Sequence, residues 1–123
     1  MKKSFFEAVQ ARRTYYGISK ESPVADEQIT EIVNTAVKHS PSAFNSQSAR
    51  VVVLFGAQHD RLWDIVKVEL QKIVPADSFG ATEDKINGAF RSGYGSVLYF
   101  EDMTVIEGLQ QQFPTYKDAF PVF

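Results

Sequence analysis

The chain contains no cysteine. Disulfides, thiolate nucleophiles and zinc–thiolate centres are therefore excluded, and any redox chemistry must come from a bound cofactor. Histidine is scarce as well. His39 and His59 stand 20 residues apart, a spacing that does not suit a shared metal ion. No apolar run approaches the roughly 18 residues that a membrane helix needs. The opening Met1-Lys2-Lys3-Ser4-Phe5-Phe6-Glu7 carries basic residues with no apolar stretch behind them. No signal peptide is expected, and the chain reads as cytoplasmic. The formal net charge is only −2 and no extended basic stripe occurs, so neither a membrane nor a nucleic acid is the expected partner.

What is present is ordinary in bulk and uneven in detail. The 123 residues suit one domain, 1–123, with a single core. Sixteen aromatics, ten of them Phe, favour a ring-rich core or interface. Residues 1–50 hold seven Lys/Arg against five Asp/Glu, whereas residues 51–123 hold six against ten. The surplus of cations thus lies in the first part of the chain. It fits a modest anion such as a phosphate better than a polynucleotide.

The apolar spacing predicts a helix over 3–12, with Phe5, Phe6, Ala8 and Val9 on one face. Thr14-Tyr15-Tyr16-Gly17 should end it. Asp26 is the expected N-cap of a second helix, whose stripe is Ile29, Ile32, Val33, Ala36 and Val37. Pro41 closes that helix. Val51 to Phe55 is a continuous apolar run, expected as a strand buried on both faces. A third helix is expected from about Asp60 to Ile73, with Leu62, Val66, Leu70 and Ile73 on one side. A loop over 75–80, a short helix over 82–90, a strand Ser96–Phe100 and a helix over 103–112 capped by Glu101-Asp102 follow. Trp63 reads as a core or interface anchor, and Tyr94, Tyr99 and Phe100 as strand packing. The chain then ends on Phe120, Val122 and Phe123, which read as exposed. Only two confident strands are few for a stable sheet. A partner chain or a further segment is expected to complete it.

Two stretches could carry chemistry. In an extended Arg12–Tyr16 segment, Arg12, Thr14 and Tyr16 would project to one side and Arg13 and Tyr15 to the other. A guanidinium and a hydroxyl two residues apart can then grip one phosphate. The plain alternative is a solvated helix end with two surface arginines. The second stretch is Ser40-Pro41-Ser42-Ala43-Phe44-Asn45-Ser46-Gln47. Pro41 fixes the helix exit, Ser42 and Ala43 permit close approach by a ring, and Asn45 and Gln47 offer amide donors and acceptors to a polar heterocycle edge. The plain alternative is a polar connector held by local hydrogen bonds.

Ala8 to Thr14, Ser40 to Ser48 and Arg50 to Leu54 together resemble the amino-terminal half of the nitroreductase family of FMN-dependent NAD(P)H oxidoreductases. His59, Leu62-Trp63, Lys85, Gly93 to Asp102, Phe113-Pro114 and Tyr116 extend the likeness towards the Frm2-like and copper-induced branch. The resemblance implies an α+β fold, a small mainly antiparallel sheet wrapped by helices, with the C-terminal part of the family fold missing. It also implies a homodimer with two FMN molecules at the subunit interface. Arg12 and Thr14 would hold the phosphate. Pro41, Ser42 and Ala43 would approach the flavin from the partner subunit, with Asn45 and Gln47 near the ribityl chain or ring and Lys85 nearby. Together with Arg13 these make the candidate cofactor-binding set. Where many members carry a second basic residue two positions after the Ser/Thr, this chain has Tyr16.

The function implied is transfer of electrons from NAD(P)H through FMN to a nitroaromatic or quinone-like acceptor. No catalytic side chain is assigned to the protein. The rival expectation is a truncated, catalytically inactive remnant of the fold, acting as a dimeric non-enzymatic or interaction protein.

Overall fold

A computed structural model describes residues 3–120. Helix α1 spans Phe5–Ala11. Ser4 begins it with a reciprocal cap: its Oγ accepts the Glu7 N–H at 3.3 Å, and Glu7 Oε2 accepts the Ser4 N–H at 2.7 Å. These bonds satisfy two otherwise orphaned donors and hold the Glu7 carboxyl below its usual range. The apolar face of α1 is not covered within one chain, since Phe5 and Phe6 stay about three-quarters exposed, at 76% and 74%.

Helix α2 spans Asp26–His39. The expected cap is displaced by one residue. Ala25 is the N-cap, and its N–H is taken by the Gln28 side chain at 3.3 Å. Asp26 is the first helical residue, and its carboxylate accepts the Tyr94 hydroxyl at 2.6 Å. A tertiary partner therefore claims the side chain that local rules assign to capping. This bond, with some burial, pushes the Tyr94 hydroxyl above its ordinary value. A raised tyrosine pKa contributes stability that is whole below the unfolded value, near 10, and is lost as pH rises through the folded value. The gap in melting temperature between the wild-type chain and Tyr94→Phe should hold from about pH 7 to about 9 and shrink above about 10. A gap that does not shrink above about pH 10 would show that the bond carries none of it.

Strands β1 (Ala49–Phe55) and β2 (Gly95–Glu101) pair antiparallel, from Ala49 opposite Glu101 to Phe55 opposite Gly95. They form the one two-stranded sheet among the described residues. β1 is not buried on both faces as its composition suggests: Val52 remains 42% exposed. The reason is topological, because a two-stranded ribbon has two open edges and helices α2 and α3 (Gly56–Gln71) give it only partial cover. Gly95 is required by close approach. A Cβ there would lie 2.8 Å from the Leu54 carbonyl oxygen of the opposite strand.

Helix α3 runs Gly56–Gln71 and begins directly where β1 ends. Gly56 makes that junction at φ 52°, a conformation that glycine adopts without steric cost. The helix therefore starts earlier than Asp60. Leu62, Val66 and Leu70 are half-buried as the stripe predicts, but Ile73 lies past the helix end and is exposed. Helix α4 covers Phe79–Lys85 and continues as a π turn over Ile86–Phe90. The loop expected at 75–80 is thus shorter, and the short helix is in two parts.

His59 ties these pieces together from a buried position, 1% exposed. Its Nε2–H donates to the Arg91 carbonyl at 3.2 Å, so Nδ1 is the acceptor and takes the Ser96 hydroxyl at 2.9 Å. The Trp63 indole N–H donates to the same Ser96 oxygen at 3.1 Å, and its ring stacks on Phe90 at 4.9 Å. Trp63 is thus a packing anchor, and the buried histidine is fully partnered. Nearby, Arg91 bridges Asp60 and Asp64, and Lys20 pairs with Asp60. The Lys20 bond chiefly lowers the Asp60 pKa and the Arg91 bond that of Asp64. Such exposed pairs tie the 15–25 segment to α3 only weakly.

Helix α5 spans Met103–Gln112, and Asp102 caps it by accepting the Thr104 N–H at 3.1 Å. A 3₁₀ segment over Pro114–Ala119 follows. Phe120 is not exposed: it is 1% accessible and, with Ile106 and Ile86, makes up the buried apolar core. Val122 and Phe123 lie outside the described residues.

Candidate functional site

Pro41 ends α2 at Ser40, whose hydroxyl and N–H both donate to the Ala36 carbonyl, at 2.7 and 3.0 Å. A 3₁₀ turn at Ala43–Asn45 then bends the chain towards β1. Three bonds close the loop on itself. Asn45 N–H reaches the Ser42 carbonyl and Ser46 N–H the Ala43 carbonyl, both at 3.0 Å, while Gln47 N–H reaches Ser42 Oγ at 3.1 Å. The Gln47 amide nitrogen donates to Asn45 Oδ1 at 3.3 Å. Part of the amide capacity is therefore spent locally, as the plain-connector reading predicts. Among the described residues, the Asn45 amide nitrogen and the Gln47 side-chain oxygen keep no protein partner.

The loop does not stand alone. Ser48, 3% exposed, donates its hydroxyl to Glu101, and Ser46 Oγ lies 3.2 Å from Ser48 Oγ. Arg50 donates to the Gln47 carbonyl at 3.0 Å and pairs with Asp102 at 2.9 Å. The strand register that sets Ala49 opposite Glu101 thus fastens the loop exit to the end of β2.

Between the α2 end, this loop and β2 lies a concavity of about 700 Å³. That is within the range of small-molecule and cofactor sites. Pro41, Ser42, Ala43, Asn45 and Gln47 all line it. So do Lys38, Ser48, Tyr99 and Glu101, which sequence reasoning did not place there. The sequence suggests packing for Tyr99 and a cap for Glu101, but Tyr99 is 67% exposed and only Asp102 caps. Their approach to the loop is set by strand pairing, for which the sequence carries no local signal. A second concavity, about 690 Å³, lies under residues 17–23 against Gly93–Val97. Its lining is mostly apolar or backbone, so the convergence of polar groups favours the first.

Arg12 has left the helix at φ −58°, ψ 133°. Its guanidinium lies 3.5 Å from the Thr14 hydroxyl, so the pair faces one way. Arg13 turns back and donates to the Gln10 and Arg12 carbonyls, both at 2.8 Å, satisfying the end of α1. Arg12, Arg13, Thr14 and Lys85 do not line the 700 Å³ concavity. Lys85 is exposed in the last turn of α4. A single chain therefore gathers the loop half of the candidate set but not the cationic half. No cluster of metal-ligating side chains occurs among the described residues, nor any helix long and apolar enough to cross a membrane.

The nitroreductase family profile matches residues 9–120, which takes in both stretches. This chain belongs to the nitroreductase family. HBN1 of Saccharomyces cerevisiae is 35% identical to it over 122 residues, and the yeast nitroreductase FRM2 is 32% identical over 120. The match covers 98% and 96% of this chain but only 60% and 58% of those relatives. Among solved structures, nitroreductase CinD from Lactococcus lactis in complex with chloramphenicol superposes with a TM-score of 0.75 at 37% identity. It covers 96% of this chain and 58% of that one. A nitroreductase from Saccharomyces cerevisiae gives 0.74 at 33% identity, with 95% and 63% covered. The chain thus has the nitroreductase fold, α+β with a small antiparallel sheet and surrounding helices, and spans about three-fifths of the length of these family members.

Proposed function

We propose that the chain acts in FMN-dependent oxidoreduction, taking electrons from NAD(P)H and passing them to a nitroaromatic or quinone-like acceptor, as a homodimer. Family membership supports the reaction class, and CinD, a structural neighbour, is described in complex with 4-nitrophenol. The observation that carries the reading is the 700 Å³ concavity lined by Pro41, Ser42, Ala43, Asn45 and Gln47. It has room for a tricyclic ring, small side chains where a ring must pass, and spare amide groups for a polar edge. When bound, FMN would supply the hydride and electron transfer chemistry.

This chain's own residues then bind and orient. Ser42 and Ala43 give close approach to the ring face, and Asn45 and Gln47 read its heteroatom edge. Arg12 and Thr14, already side by side, grip the phosphate as paired donors. Arg13 holds the bend that aims them, and Lys85 adds an exposed cation. Since the two halves of the set do not meet within one chain, a second copy brings them together in this reading. The uncovered Phe5–Phe6 face of α1 suits such a contact.

A second reading is favoured by one observation: within one chain the cationic half of the candidate set does not reach the concavity. In it the fold persists as a non-catalytic dimer. Titration with FMN, followed by NADH and NADPH oxidation with a nitroaromatic acceptor, separates the two. A yellow dimer that turns over supports the enzyme. A folded, colourless protein that takes up no FMN overturns it.

A further inference from the structure

Phe44, Asn45 and Gln47 all have left-handed backbone, with φ of 53°, 51° and 50°. They are the three non-glycine residues in that region among the described residues. Asparagine tolerates it, whereas a bulky residue such as phenylalanine stays there only when its surroundings over-determine it. The loop's own hydrogen bonds join Ser42 to Asn45 and Gln47, and Ala43 to Ser46. None of them engages Phe44.

What does engage it comes from the far end of the described chain. The Phe44 ring stacks on Phe113 at 5.0 Å and 30°, and lies 5.8 Å from Tyr116 and 5.3 Å from Phe120. Phe120 is itself buried in the core and so gives this cluster a fixed floor. A right-handed Phe44 would carry its ring out of this cluster and would redirect the two residues that follow.

We infer that Phe113, Tyr116 and Phe120 are positioning residues: by clamping the Phe44 ring they hold residues 44, 45 and 47 left-handed, and so set the aim of the Asn45 and Gln47 amides into the 700 Å³ concavity. The proposal deepens the flavin reading and rests on it for the ligand, but not for the loop geometry. The carboxyl-terminal aromatic segment thereby becomes a determinant of heterocycle affinity although it does not line the site.

The test is Phe113→Ala in the full chain, with Phe113→Leu as a milder variant that keeps most of the volume but no stacking ring. One-bond Cα–Hα couplings and amide shifts of residues 44, 45 and 47 report positive φ directly, without ligand. In both variants these should move towards averaged or right-handed values, and Phe113→Tyr should restore them. FMN affinity should fall about tenfold in Phe113→Ala, the scale of one lost hydrogen bond, and recover in Phe113→Tyr. Ile86→Val, which loosens the core elsewhere, should leave the loop signals in place. If the couplings stay at their wild-type values in both variants, the clamp is overturned, whether or not FMN binds. If they move as expected while the wild-type chain takes up no FMN, the clamp stands and the flavin reading fails.

Discussion

Phe120→Ala should lower the stability of the chain by about 3–5 kcal/mol, the range for removing a large ring from a packed core. The argument begins with burial. Phe120 is 1% exposed and belongs to a small core, with Ile106 at 0% and Ile86 at 3%. Its ring also meets Phe44 at 5.3 Å. With total stabilities of domains near 5–15 kcal/mol, such a loss would remove much of the margin. Urea unfolding followed by tryptophan fluorescence measures it, since Trp63 packs on Phe90 in the fold. Tyr116→Ala provides the contrast. Tyr116 touches the same Phe44 ring but is 57% exposed, so about 0.5–1.5 kcal/mol is expected, the size of an aromatic pair. A Phe120→Ala loss no larger than that of Tyr116→Ala would show that the end of the described chain does not seal the core.

Arg12→Gln should weaken FMN binding about 10- to 100-fold, as expected for losing charge-assisted bonds to a phosphate. Arg13→Gln should weaken it far less. The two arginines are adjacent in sequence and opposite in role. Arg12 shares its direction with the Thr14 hydroxyl 3.5 Å away. Arg13 is occupied by two backbone carbonyls at 2.8 Å. Titration of each variant with FMN, at two salt concentrations, decides the matter. The difference between wild type and Arg12→Gln should narrow at high salt, because screening weakens the phosphate contact in the wild type. Equal losses in the two variants would mean that charge density, and not the Arg12–Thr14 geometry, attracts the ligand.

Much of the candidate site could be read before the fold was known, and the reason differs from residue to residue. Pro41, Ser42, Ala43, Asn45 and Gln47 sit in eight consecutive positions, so chain connectivity alone keeps them together. The separation of Arg12 and Thr14 from Arg13 follows from the alternation of an extended backbone. Tyr99 and Glu101 escape a sequence reading because their relation to the loop depends on a register that pairs residues some fifty positions apart. The role of Asp26 escapes it for a similar reason. Its local environment favours capping, but the Tyr94 hydroxyl arrives from the distant bend that precedes β2 and takes the carboxylate.

The amino-acid order by itself determined the helices, the two strands, the polar loop and the family, since these depend on periodicity, turn chemistry and short-range spacing. It also determined that no thiol chemistry is available. Only the tertiary structure decided that Phe120 is buried, that Phe44 is left-handed and packs on rings from the far end of the described chain, and that the cationic bend and the polar loop stay apart within one chain. Those facts depend on which distant surfaces come into contact, and free energy of contact is set by three-dimensional neighbours that no local pattern encodes.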